Sequence, residues 1–566
     1  MKTLKKLFAL VATVATCLSL GATSVLADEP TTGSITINNA TGTYAAYQVF
    51  AGKYDSETKK LNEITWGTGV NAFEFPVGKE DANGELIKDS NGNVETENTN
   101  DPVRIAAYLA KADSSVVKEF ASTAIDNKKD PATATATATS VTETKDGVET
   151  TTNKAIMSDI PMGYYVVENS NVADGEAYTK FILEVAGDAT ATNKTSVPTM
   201  EKKVMDTDDS DKETAYGTAR WDDSADYDIG DAVPFKLSAT VADNYDDYKE
   251  YYFTFHDVEE TGLTFDSKSV TVKVDGTEIT TGYTVNTSCQ DGDTFEVVFS
   301  DLKKLTKGDG SALVEAKSEI TVEYKSTLNE NAVVGSYGNV NKAQLEYSNN
   351  PNAEQEGTTG KTPWDNVIVF TYEVVVNKID ENNRPLKGAE FTLYKYDAKS
   401  KYQDRPNWDT EITAIVNTSD ENVDIAGTIF TFRGLDAGTY KLVETKAPTG
   451  YNKISDITFT VNADHSITWN GTDREKVLTS LNANVPENID GNNTNFAFSA
   501  TTIKYNEGTD TEYVTYTGDL STTIINKSGT ILPSTGGIGT TVFYVTGAIL
   551  MLGAGVLLVS RKRVSK

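Results

Sequence analysis

Residues Tyr372 to Asp380 read YEVVVNKID, and the place of the lysine in this run decides how the chain folds. Strand alternation puts Val374, Val376 and Lys378 on one side and Glu373, Val375 and Asn377 on the other. The valine side is the one a sheet buries, so Lys378 is carried into a core, where an amine is costly unless it is neutral or paired. Short alternating runs of the same kind recur along the chain, as GSITINNA (33–40), KFILEVAG (180–187), SVTVKVDG (269–276) and EITVEYKS (319–326), between clusters of Gly, Asn and Asp. This pattern predicts an all-β chain of tandem sandwiches.

Helical signals are few. NDPVRIAAYLAKA (100–112) offers Asp101 as N-cap, Pro102 at the first helical position and apolar residues at helical spacing from Val103 to Leu109. A second helix is expected through DREKVLTSL (473–481). The Thr/Ala-rich stretch from Asp130 to Asn153 reads as a mobile insertion. Pro-bearing joints at NKTSVPTMEKKV (193–204) and in 348–367 divide the chain into domains at 28–196, 197–362 and 363–530, about what the size prior suggests.

Both ends read as export and anchoring signals. Lys2, Lys5 and Lys6, an apolar stretch and small residues up to Ala27 have the layout of a signal peptide (1–27) cut between Ala27 and Asp28. At the other end (531–566), ILPSTGG precedes an uncharged run, 538–559, long enough for a transmembrane helix, and then Arg561, Lys562, Arg563 and Lys566. Cys17 leaves with the signal peptide and Cys289 has no partner, so no intramolecular disulfide braces the exported chain. Cys289 itself reads as an inert residue at a strand end.

The net charge is −32, and loss of the seven basic residues in the two end segments takes it to −39. Such a polyanion is soluble and a poor ligand for nucleic acid. His256 and His465 are the only histidines, and no Ser/His/Asp, Cys/His or metal constellation stands out. The acidic runs DTDDSDKE (206–213) and DSNGNVETEN (89–98) miss the EF-hand spacing. The expectation is a chain that is not an enzyme, with no cofactor and no metal.

The buried lysine has candidate partners. TTIINKSG (522–529) is an apolar strand carrying Asn526, and YKLVETKAPTGY (440–451) puts Glu444 on a strand otherwise fit for a core. A lysine made neutral by burial is a nucleophile, and a protonated Glu can hydrogen-bond the Asn carbonyl and polarise it; ammonia leaves and an amide joins first strand to last. The competing interpretation is a surface Lys, a turn Asn and a salt-bridged Glu.

These runs, VVNKID, GTYKLVETKAPTGY and IINKSG, resemble the collagen-adhesin B-type domain of Gram-positive pilins. The resemblance implies an immunoglobulin-like sandwich with a self-generated Lys378–Asn526 isopeptide bond and Glu444 as its catalytic acid. The middle domain resembles the A-type relative: VPTMEKKVMD supplies Lys202, YYFTFHDVEETGLTF supplies Asp257 as the acid, and GNVNKAQLEYSNNP supplies Asn341. Lys203 and Asn349 are alternatives for the amine and the amide. The first domain keeps Glu168 in MGYYVVEN (162–169), a weak repeat of AGTYKLVET (437–445), but its opening strand SITINN has no lysine. No internal bond is expected there.

Across its length the chain resembles the backbone subunit of sortase-assembled Gram-positive pili. The resemblance implies sortase recognition of Leu532, Pro533, Ser534, Thr535 and Gly536, with cleavage after Thr535 and linkage of Thr535 to a lysine of the next subunit. Lys194, just before the first joint, fits that acceptor, although Thr192, Asn193 and Lys194 replace the family's Tyr-Pro-Lys. Implied partners are identical subunits, pilin-class and housekeeping sortases, tip and base pilins, peptidoglycan and host surface molecules. The alternative is a monomeric wall-anchored adhesin binding host matrix or glycan, which shares every feature except the need for Lys194.

Overall fold

The computed structural model describes residues 31–529 apart from short internal stretches, the longest of which are 207–218, 397–407, 466–476 and 486–496. The signal peptide, Lys194 and the whole sorting region, including 538–559, lie outside the described residues. Among the described residues no helix is long and apolar enough to cross a membrane.

Among the described residues three successive pairs of sheets form the chain, with a small two-stranded sheet of Phe75–Gly78 and Thr96–Thr99 beside the first pair. In the first, a four-stranded sheet carrying Thr32–Asn38 faces a five-stranded sheet carrying Thr43–Asp55 and Gly163–Asn171. Ile35, Ile37, Tyr44, Tyr165 and Val167 pack between them. Helices Pro102–Leu109 and Ser114–Asp126 cover the other face of the five-stranded sheet, and Ile105 and Phe120 close a second core with Phe50, Phe73 and Phe75. Asp101 caps the first helix, as its sequence predicts. The second was not expected; Asp113 caps it by accepting from the backbone N–H of Ser115 and Val116.

Two segments differ from expectation. The Thr/Ala-rich stretch forms strands: Ala134–Thr137 pairs with the start of Thr43–Asp55, and Thr139–Lys145 makes a hairpin with Val148–Pro161. Alternating Thr and Ala is a period-two pattern, and Ala134, Ala136 and Ala138 pack against the first core. Leu478–Asn484, where a helix was expected, is also a strand, paired with Ile457–His465. Leu478 and Leu481 are both buried despite their helix-like spacing, because a register shift opposite Thr479 turns both inward.

The second pair holds a six-stranded sheet with Thr199–Asp206 and Glu319–Leu328, and a seven-stranded sheet with Phe253–Glu259 and Asn339–Ser348. Asp365–Phe370 still pairs within that seven-stranded sheet, so the change of sheets falls at Thr371, beyond the expected 362/363 boundary. In the third pair, Tyr372–Asp380 lies parallel to Glu512–Asn526, facing a sheet with Gly438–Lys446.

The second and third units are tied closely. Ile229 N–H donates to Gly434 O at 3.0 Å, and Gly335 N–H to Thr371 O at 3.0 Å. Between them the buried Lys395 ammonium lies 2.6 Å from both Asp228 and Asp436. Gly335 has φ +93°, and a Cβ there would meet Thr517 O at 1.6 Å, so the joint requires glycine.

Candidate functional site

The third sandwich gathers its residues from both sheets. Parallel pairing sets Lys378 opposite Ile524 and Asp380 opposite Asn526, while Glu444 comes from Gly438–Lys446 in the facing sheet. Lys378 is 1% exposed, and Glu444 and Asn526 are 0% exposed. Glu444 Oε1 accepts from Asn526 Nδ2 at 2.8 Å, and its Oε2 accepts the Ile454 N–H at 2.9 Å. The contact is therefore to the amide nitrogen, and Asn526 Oδ1 is buried with no partner among the described residues.

Lys378 Nζ donates to the carbonyls of Ile379 and Ile524 at 3.0 and 3.1 Å. Burial pulls its pKa down to about 8, against the opposing charges of Glu444 and Asp380. Near neutral pH a usable fraction is the free amine, the form that attacks a carbonyl.

The middle site spans the two sheets as well. Alternation on Thr199–Asp206 turns Lys202 and Val204 inward, and Lys202, Asp257 and Asn341 are all 0% exposed. Lys202 Nζ lies 2.5 Å from Asp257 Oδ2 and 2.7 Å from the Tyr324 hydroxyl. Lys203 points elsewhere, to Asp223 and Glu201, and Asn349 bonds Thr358. The structure thus brings Lys202, not Lys203, to Asp257, and Asn341, not Asn349, to the Tyr324 hydroxyl that also contacts Lys202 and Asp257.

Two further side chains belong to this site. Tyr324 OH donates to Asp257 Oδ2 at 2.8 Å and accepts from Asn341 Nδ2 at 2.9 Å. Glu259 Oε1 accepts from the same Nδ2 at 3.2 Å, and Asn341 Oδ1 is buried without a partner among the described residues. The signal for Glu259 was present: it stands two residues after Asp257, hence on the same side of the strand. Burial lowers the pKa of Lys202 in spite of Asp257, and raises that of Asp257 in spite of Lys202.

Elsewhere Glu168 of the first sandwich is ion-paired with the partly exposed Lys128 at 2.6 Å. His256 and three carboxylates, Asp291, Asp293 and Glu296, are close enough together to hold an ion, as are Asp228, Asp231 and Asp436. In both groups a side chain already supplies a bond to the acids: His256 Nδ1 is 2.7 Å from Asp293, and Lys395 bridges Asp228 and Asp436. Cys289 is partly exposed, and burial together with Glu296 and Asp293 pushes its thiol up to about 11, so it is a poor nucleophile.

Against known proteins, residues 229–351 match the Gram-positive pilin backbone subunit 2, Cna-B-like domain. Residues 372–475 match a prealbumin-like fold domain, and 525–566 the LPXTG cell wall anchor motif. The chain is 28% identical over 421 residues to the trypsin-resistant surface T6 protein of Streptococcus pyogenes serotype M6, covering 66% of this chain and 70% of that one. It is 28% identical over 298 residues to fimbrial subunit type 2 of Actinomyces naeslundii, covering 46% of this chain and 52% of that one. In fold it is similar to the solved three-domain T6 backbone pilin, with a TM-score of 0.50 and 17% identity over 89% of this chain and 100% of that one.

Proposed function

We propose, for a chain that is a Gram-positive pilus subunit with an LPXTG cell-wall anchor, that it forms the backbone of a covalent surface fibre. It is a substrate of sortases and acts chemically only on itself. A pilin-class sortase cleaves after Thr535, holds the threonine as a thioester and passes it to Lys194 of the next subunit; a housekeeping sortase attaches the finished fibre to peptidoglycan. Tip and base pilins complete it.

The observation that carries this proposal is the pair of buried Lys, acid and Asn groups. Each brings together an amine with a pKa lowered by burial, a carboxyl group and a carboxamide, the set needed to form an amide with loss of ammonia. Such bonds stiffen a subunit without disulfides. The position of Lys194 in the sequence adds support. The preceding Asn193 is fixed where the first sandwich ends, its Nδ2 donating to Tyr44 OH at 2.9 Å and its N–H to Asn38 O at 2.9 Å.

One experiment addresses both parts. In cells with an active pilin sortase, wall extracts of the wild type should give an SDS-stable ladder, and Lys194→Ala a single wall-anchored band. The soluble region of either should be two ammonia equivalents lighter than its sequence. A ladder of unchanged length in Lys194→Ala moves the acceptor to another lysine, absence of a wild-type ladder favours the adhesin, and an undiminished mass removes the internal bonds.

A further inference from the structure

Building on the internal bond proposed for the middle sandwich, we propose that two carboxyl groups divide the work there: Asp257 serves the amine, and Glu259 is the catalytic acid that protonates the departing nitrogen of Asn341.

The two sites differ in a way that points to this division. In the third sandwich one acid, Glu444, touches the Asn amide nitrogen, and backbone carbonyls hold the lysine. In the middle sandwich Asp257 touches the lysine, and the residue in Glu444's relation to the amide nitrogen is Glu259. Strand pairing sets this contact, because Glu259 lies directly opposite Asn341 across the Phe253–Glu259 and Asn339–Ser348 ladder. The Ser326 hydroxyl donates to Glu259 Oε1, holding it in place. Glu259 Oε2 and Asp257 Oδ1 are both buried with no partner among the described residues, but Asp257 has the Lys202 ammonium at 2.5 Å to hold it ionised, whereas Glu259 is in no ion pair among the described residues, which suits a protonated carboxyl. Burial, with Asp257 beside it, raises the pKa of Glu259 to about 8, so the proton is present at neutral pH.

The atoms balance. The Lys202 ammonium gives one proton to the Asp257 carboxylate, and the free amine attacks Asn341 Cγ. As the bond from Cγ to Nδ2 breaks, Glu259 gives its proton to Nδ2. The second proton lost from Nζ passes through the Tyr324 hydroxyl, which touches both nitrogens, to the leaving ammonia. The products are the amide, an ammonium ion, a protonated Asp257 and an ionised Glu259, with net charge unchanged.

The test is Glu259→Gln beside Glu259→Asp, in the full soluble region. Gln keeps size and an acceptor for Asn341 but has no acidic proton; general-acid help is worth about 10² to 10⁴-fold. Glu259→Gln should therefore be isolated lacking the middle bond, one ammonia heavier than the wild type, with the third-domain bond complete. Held at a series of pH values and followed by mass, it should bond slowly, without a fall in rate at high pH. Glu259→Asp should bond faster and show that fall. Complete bonding in Glu259→Gln overturns the assignment, and so does a Glu259→Asp no faster than Gln or unable to restore a misfolded Gln variant. If the wild type itself lacks the middle bond, the internal bond proposed for this sandwich and the division of roles both fall, whereas complete bonding in wild type and Glu259→Gln alike sinks the division of roles only.

Discussion

Changing Asn526 to Ala removes the electrophile of the third sandwich while leaving Lys378 and Glu444 in place, and its effect on stability follows from the geometry. The bond proposed between positions 378 and 526 would close a loop of 148 residues. In the chain-entropy model, closing a loop of that length restrains the unfolded state by roughly 5 kcal/mol. The variant also strips Glu444 Oε1 of its 2.8 Å amide partner, and an unsatisfied buried polar group adds about 1–3 kcal/mol. For a unit of this size each kcal/mol shifts the melting temperature by roughly 2–4 °C. The third-domain transition should fall by roughly 12–30 °C. Glu444→Gln, which preserves shape but cannot act as an acid, should lose the bond alone and fall by roughly 10–20 °C on the same scale. Differential scanning calorimetry of the soluble region, with intact mass on the same sample, measures both, and the first-domain transition serves as internal control. If the mass shows the third bond missing while that transition stays within a few degrees of wild type, the loop-closure reasoning is wrong. If Asn526→Ala still loses two ammonia equivalents, the pairing is wrong.

Replacing Lys395 by Met leaves Asp228 and Asp436 facing each other without their shared cation, which costs about 3–5 kcal/mol; the transitions of the second and third units should then fall and move further apart, with a wider spread of angles in X-ray scattering, and an unchanged calorimetric profile would count against a rigid joint. His256 should give the second sandwich a bounded pH range. Burial lowers its pKa, but the hydrogen bonds to Glu346 and Asp293 outweigh burial and raise it, while the His256 bond holds Glu346 down at about 2. A raised histidine contributes fully below its unfolded value, about 6.5, and loses that contribution as pH rises through the folded pKa; a depressed carboxyl contributes above about 4.5 and loses it as pH falls toward 2. Urea midpoints of the wild type should fall off on both sides of that range, and His256→Gln should flatten both limbs; superimposable profiles would refute the pairing.

The sequence makes the two lysines legible because strand alternation is local: Lys202 and Lys378 share a side with Val204 and Val376, and burial follows. It also separates Lys202 from Lys203 once the inward side is known. Glu259 and Tyr324 are harder, since their roles depend on which strand stands opposite; Glu259 meets Asn341 only through pairing with a strand some eighty residues away. The same non-locality hides the strand at Leu478, where a bulge imitates a helical repeat. Small side chains hide another, as Ala134 and Ala136 bury too little to look like a core. The joint at Thr371 was misplaced because Asp365–Phe370 follows a Pro and a Gly-rich run yet completes the preceding sheet.

Because Lys378 lies on the strand that opens its sandwich and Asn526 on the one that ends it, the order of events during biogenesis is fixed. A chain crossing the membrane in extended form keeps its lysines hydrated and charged, and therefore unreactive. The amine is primed only when the last strand seats beside the first and water leaves. Synthesis cut short anywhere before Asn526 yields a sandwich with no electrophile, which stays open to proteases. On the proposed chemistry the cross-link would act as a completion mark, written once and not erased by reducing agents, which would separate finished subunits from fragments before any joining to neighbours.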